Sequence, residues 1–178
     1  KLILATLVAS CVLAGCGQSR PPSENMNADS TVPNTRRCEA LAGTQLGYAT
    51  VSEAELLKRG EPSVGLMRRV LLRFAMGKGI GDLSAPRDLC RITAKLRATP
   101  GSEITAEVWL PEHWNSKLLG IGGGGFNGGL IAAPLLLPIV VDKGYVGLIT
   151  DAGHSLTGSA EFAHDSPQQY VDYAYRAN

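Results

Sequence analysis

Apolar and polar positions along this chain fall into blocks with different periods. Lys1 to Cys16 is an almost unbroken apolar run ending in small residues. Gln18 to Arg36 is the opposite, dominated by Ser, Pro, Asn, Asp and Thr with no apolar period. Glu39 to Leu46 then reads as a short helix and Tyr48 to Val51 as an edge strand. Ser52-Glu-Ala-Glu55 reads as a helix start with acids in its first turn. From Val64 to Lys78, Leu66, Met67, Val70, Leu71 and Phe74 share one helical face while Arg68, Arg69 and Arg73 lie off it. A core-facing helix with a solvated basic back is the expectation there; a helix lying on a membrane surface is the alternative.

The period then drops to two. Cys90, Ile92, Ala94 and Leu96 alternate with polar residues, Pro100-Gly101 makes a turn, and Ile104, Ala106, Val108 and Leu110 alternate again. Two antiparallel strands follow from that, with Lys117 to Ile121 as a third. Leu130 to Val141 is apolar but carries Pro134 and Pro138, so a broken helix crossing over a sheet is expected. Gly144 to Thr150 reads as a buried strand, and Ser166-Pro167 caps and opens a helix with Tyr170, Tyr173 and Ala174 on one side. The expected fold class is α/β: the N-terminal part of a sheet in which an antiparallel hairpin precedes parallel strands with crossover helices.

Composition narrows the partners. With Lys+Arg at 17 against Asp+Glu at 16, the net charge of +1 offers no electrostatic footprint for nucleic acid. The opening apolar run is shorter than the ~20 residues a membrane span needs and fits a secretory leader. Its end, Leu13-Ala-Gly-Cys16, resembles the bacterial lipobox, which implies cleavage before Cys16 and acylation of that thiol. An ordinary signal peptide with an incidental Cys, or a buried strand, is the alternative. The organisation expected is a leader over 1–15, a disordered tether over 16–36 and a folded part over 37–178, exported and either lipid-anchored at the bacterial cell envelope, on the outer membrane or the periplasmic face, or secreted. In an oxidising compartment Cys38 and Cys90 pair most simply, with two buried thiols as the alternative. Three scattered histidines give no metal set.

The candidate chemistry centres on Gly122-Gly-Gly-Gly125 at the end of the third strand. Such a run suits a backbone that must turn sharply or be approached closely. Three uses compete. Gly120 to Gly125 matches G-x-G-x-x-G with Asp142 downstream, a dinucleotide fingerprint, but two prolines spoil the helix that should follow. A plain turn is the second. The third is an oxyanion hole, in which unshielded N–H groups meet the developing O⁻ of a tetrahedral intermediate. Gly153-His-Ser-Leu-Thr-Gly158 nearly spells a nucleophile elbow, yet its second glycine is one residue late and no apolar helix follows. Asp151 and His154 end the buried strand, where they either line a site or cap the loop.

Taken in order, several segments resemble the tannase and feruloyl esterase family of α/β-hydrolases. They are Cys38, Leu89-Cys-Arg-Ile-Thr-Ala94, Ile104 to Pro111 with Trp114-Asn115, and Gly120-Ile-Gly-Gly-Gly-Gly-Phe126 with Gly128. Gly144-Tyr145, Thr150-Asp-Ala-Gly-His154 and Val171-Asp-Tyr-Ala-Tyr-Arg-Ala177 complete the set. The resemblance implies hydrolysis of aromatic (feruloyl or galloyl) esters by a Ser-His-Asp triad. It implies Gly123, Gly124 and Gly125 as oxyanion donors, Phe126, Asp151 and His154 along the site, and Cys38–Cys90 as a disulfide. By the same resemblance the nucleophile, acid, base and a lid that often binds calcium lie outside this chain. The chain by itself is then expected to be an inactive fragment that holds no cofactor. Ala152 departs from the family's usual Thr or Ser, and 57–85 is unusually long and basic. A non-catalytic lipoprotein that binds aromatic acids is the alternative from another class.

Overall fold

The computed structural model describes residues 34–77, 83–126, 128–154 and 159–177. The leader, most of the tether with Cys16, and the near-elbow residues 155–158 therefore lie outside the described residues. Among those described, six strands form one sheet in the order β1-β2-β3-β4-β6-β5. The strands are β1 (Gln45–Leu46), β2 (Ala49–Leu57), β3 (Leu89–Leu96), β4 (Ile104–Pro111), β5 (Leu118–Ile121) and β6 (Val146–Thr150). β1 to β4 run as an antiparallel meander, and β6 pairs antiparallel to β4 and parallel to β5. Among the described residues β5 is thus an edge of the sheet, with β6 inserted between it and the β3–β4 hairpin.

The hairpin forms as the alternation predicts, with Leu89 opposite Pro111 and Leu96 opposite Ile104. Burial is two-sided, however. Ile104 and Ala106 are buried on the expected face, but Trp109 on the other face is fully buried and donates its indole N–H to Glu107 Oε1 at 2.7 Å. Helix α3 (Ala133–Asp142) covers that second face. Its Ala133, Leu137 and Val141 pack with Leu57, Leu89, Trp109 and Ile149. The helix is continuous rather than broken: Pro134 sits in the first turn, where a missing N–H costs nothing, and Pro138 removes only one bond. Close packing needs glycine at 147, since a Cβ there would lie 2.7 Å from Leu137 Cδ2.

Four expectations near the N-terminal end are corrected. Helix α1 is Asn34–Glu39, starting inside the expected tether and ending where the helix was expected to begin. Ser52 to Glu55 is strand, not helix. A bulge between Val51 and Glu53 resets the alternation, which hides the period of two, and Ser52 Oγ donates to Thr93 O across it. β2 is accordingly internal rather than an edge strand. Helix α2 (Leu66–Met76) forms within the expected Val64 to Lys78, but the apolar face expected to meet the core is exposed; Leu72 is deeply buried, with Val64, Leu83 and Leu135 around it.

Cys38 of α1 and Cys90 of β3 form the disulfide, which the leader reading and the family resemblance both anticipated. Where β2 leaves the sheet, Asp88 accepts from the Arg59 N–H and from Lys58 Nζ, each at 2.9 Å. The Arg59 hydrogen bond first, and then the Lys58 ammonium, hold the Asp88 carboxyl below its ordinary range. After β6 come α4 (Glu161–Asp165), α5 (Pro167–Val171) and a π-helical turn, Asp172–Arg176. Ser166 caps α5 by accepting from Gln169 N, as its position predicts.

Candidate active site at the glycine turn

β5 delivers the chain to its carboxyl end at Ile121, and the glycines follow at once. Of Gly122 to Gly125, Gly125 alone has a positive φ, +58°, which a glycine accommodates without strain. At Gly122 and Gly124 an added Cβ would meet nothing within 4 Å, so the described fold does not itself require glycine there. The N–H groups of Gly122 to Gly125 have no protein acceptor among the described residues. They border a cavity of about 550 Å³. Ile131 before α3 and Leu136 within it, Thr150 and Ala152 at the end of β6, and Tyr173 from the π-helical turn form other parts of its wall.

The turn is held from behind. Tyr173 Oη donates to Gly125 O at 2.8 Å, and His154 Nε2 lies 3.0 Å from Phe126 O. Gly129 N–H donates to both Asp151 O and His154 O at 3.0 Å. Around these bonds the rings of Phe126, His154, Phe162 and Tyr173 cluster, His154 stacked on Phe162 with centroids 3.7 Å apart. Two carbonyls of the turn are thereby engaged by side chains, which leaves its N–H groups as the exposed polarity.

Of the two roles expected for Asp151 and His154, lining a site or capping the loop, the described contacts are those of loop caps. His154 is buried and its ring bridges the Ala152 and Phe126 carbonyl oxygens, whereas Asp151 Oδ1 accepts from Thr105 N and Gly153 N, each at 2.9 Å. Neither residue contributes to the cavity wall. Asp151 secures the end of β6 to the start of β4, and His154 secures the glycine turn. Phe126 is half-exposed and also stands off the wall, its ring against Phe162 and Tyr173. His113 is exposed at the turn after β4, and His164, expected on a surface loop, is exposed on α4.

Beneath the clamp lies a buried carboxylate that the sequence reading did not single out. Asp172 is 0% exposed; its Oδ1 accepts from Ser102 Oγ at 2.8 Å and Arg176 Nη1 at 2.6 Å. Gly153, at φ +73°, fits against it, since a Cβ would approach Asp172 Cβ to 2.7 Å. The tail thus packs on the β4–β6 end of the sheet, and Tyr173 is brought to Gly125 as the next residue along. Its place beside Tyr170 and Ala174 was the sequence signal that could have found it. Tyr173→Phe is expected to cost about 1 kcal/mol of stability, read from the urea midpoint at unchanged slope; a midpoint equal to wild type would show that the bond holds nothing.

The dinucleotide arrangement is not built. Among the described residues no helix opens at the glycines, because 122–126 and 128–132 stay irregular until α3 begins, and Asp142 sits exposed at the far end of that helix instead of at a strand end. No helix among the described residues is long and apolar enough to cross a membrane.

Residues 90–178 match the family model for tannase and feruloyl esterase. A probable feruloyl esterase B-2 of Aspergillus flavus is 32% identical over 90 residues, covering 51% of this chain and 17% of that protein. An uncharacterized esterase of Xanthomonas campestris is 35% identical over 97 residues, 53% of this chain and 16% of its own length. The crystal structure of feruloyl esterase B from Aspergillus oryzae superposes with a TM-score of 0.59 at 20% identity, over 80% of this chain and 26% of that one. That likeness shows the fold, of α/β-hydrolase type, and the chain spans under one fifth of the length of the two curated relatives. On the family match over 90–178, the chain belongs to the tannase and feruloyl esterase family.

Proposed function

We propose that the protein containing this chain hydrolyses carboxylic esters of aromatic acids, feruloyl or galloyl in type, and that Gly123, Gly124 and Gly125 supply the oxyanion hole. The observation that carries this reading is a row of N–H groups that meet no acceptor among the described residues and border a cavity, with glycine at 124 where the described fold does not itself require it. Apolar walls from Ile131, Leu136 and Tyr173 suit an aryl group, and the donors suit its carbonyl. In the mechanism, a serine attacks the ester carbonyl, with a histidine taking the proton and an aspartate orienting the histidine. The carbonyl electron pair moves onto oxygen, where the glycine N–H groups receive it. Collapse expels the alcohol, protonated by the histidine, and water then cleaves the acyl-enzyme by the same route. The triad is assigned to a part of the family domain outside these 178 residues, so the chain alone is expected to be inactive. The calcium implied by the resemblance belongs there too, and no residue here is assigned to it.

Export follows from the leader reading, with Cys16 as the acylated anchor. The test uses the full-length protein and measures acid released from feruloyl and galloyl methyl esters. Turnover supports the esterase; binding of the free aromatic acid without turnover would move the protein to the non-catalytic class, and neither result would overturn both.

A further inference from the structure

α2 turns its apolar side away from the protein. Leu66, Met67, Val70, Leu71 and Phe74 are all exposed, Phe74 at 91%, while Leu72 is deeply buried. At about 100° per residue these five occupy one arc, with Arg69 and Arg73 on one flank and Arg68 on the other. The roll of the helix is fixed from two sides. Leu72 packs against Val64, Leu83 and Leu135, and Arg68 Nη2 donates to Leu130 O at 2.8 Å. The helix contains no acidic residue. It also precedes residue 90, where the match to the family model begins.

We propose that α2 is a membrane-surface helix whose apolar arc enters an anionic bilayer while Arg69 and Arg73 meet the lipid phosphates. The charge pattern selects this occupant. An apolar stripe edged by arginines matches the boundary between acyl chains and anionic headgroups. A second copy docking through the same arc would bring arginine flanks together instead. The leader reading supplies the bilayer, since an acylated Cys16 would hold the domain beside one; the chemistry of α2 does not depend on that anchor. Docking would also place lipid close to the cavity, because Leu130, held by Arg68, directly precedes Ile131 on its wall.

The test uses the full-length protein carrying Cys16→Ser, so that no acyl chain contributes. It is expected to co-sediment with phosphatidylcholine vesicles containing phosphatidylglycerol, to be released by high salt, and to ignore phosphatidylcholine alone. Arg69→Ala with Arg73→Ala should weaken partitioning roughly tenfold or more. Phe74→Trp should add an emission component that shifts to the blue when the anionic vesicles are added. Absence of binding would overturn the proposal, as would binding indifferent to these substitutions. So would an already blue-shifted signal from Phe74→Trp without vesicles, which would mean that other protein covers the arc. Hydrolysis of a soluble ester by the same variants should match wild type, so loss of vesicle binding and loss of the esterase reading are separate results.

Discussion

Replacing Cys38 and Cys90 together by alanine is expected to lower stability by roughly 4 kcal/mol, the chain-entropy value for a loop of this length. The bond spans a sequence separation of 52 residues. What it fastens explains why the loss should be felt in full. α1 has six residues, far too few to be helical on its own. Around the bond, Leu41, Leu56 and Leu110 border an open hollow instead of a packed core. Among the described residues α1 otherwise lies mainly against β2, so this bond is what joins it to β3. The measurement is the urea midpoint of the full-length protein with and without the double substitution, and with reductant added to the wild type. Equal midpoints within about 1 kcal/mol would show that α1 is held by packing after all.

Substituting Gly124 by proline in the full-length protein is expected to reduce kcat for an aryl ester roughly 100- to 1,000-fold with little change in KM. Proline deletes one N–H donor, and donors of this kind act on charge that exists only in the transition state. Gly124→Ala is the control. It keeps the N–H, and its Cβ meets nothing within 4 Å in the described chain. Its effect, if the substrate lies against this position, should appear in KM rather than kcat. A folded Gly124→Pro variant with wild-type kcat would remove the oxyanion role from this donor, whatever the protein then proved to hydrolyse.

The parts of this fold that were legible in the sequence are those where one force dominates locally. Cys90 to Leu96 and Ile104 to Leu110 alternate because strand geometry puts successive side chains on opposite faces, and the register follows from the short turn between them. Ser166-Pro167 marks a helix start because both residues suit orphaned N–H groups. Where two forces conflict, the sequence misled. The bulge after Val51 broke the period of β2, leaving acids at spacings that mimic a helix. In β4 the alternation pointed to one buried face, yet α3 buries Trp109 on the other. Of the candidate site, the glycine turn was legible from composition alone. The clamp was not, because Tyr173, His154 and Gly129 meet the turn only through tertiary packing. Asp172, a carboxylate with no exposure, gave no local sign that Ser102 and Arg176 would both donate to its Oδ1.

The strand order has a consequence for how the chain assembles. β5 leaves the ribosome before β6, but its only described sheet neighbour is β6, which must first slot in beside β4. Sheet growth therefore cannot follow the order of synthesis. Leu118–Ile121 waits without a partner until α3 and Val146–Thr150 have arrived, a non-local pairing of the slow kind. The glycine turn that β5 carries waits with it, and Tyr173, which fastens that turn, comes later still. The local folds that need only neighbours in sequence, the β3–β4 hairpin above all, can form early, and the glycine turn is fastened only after them.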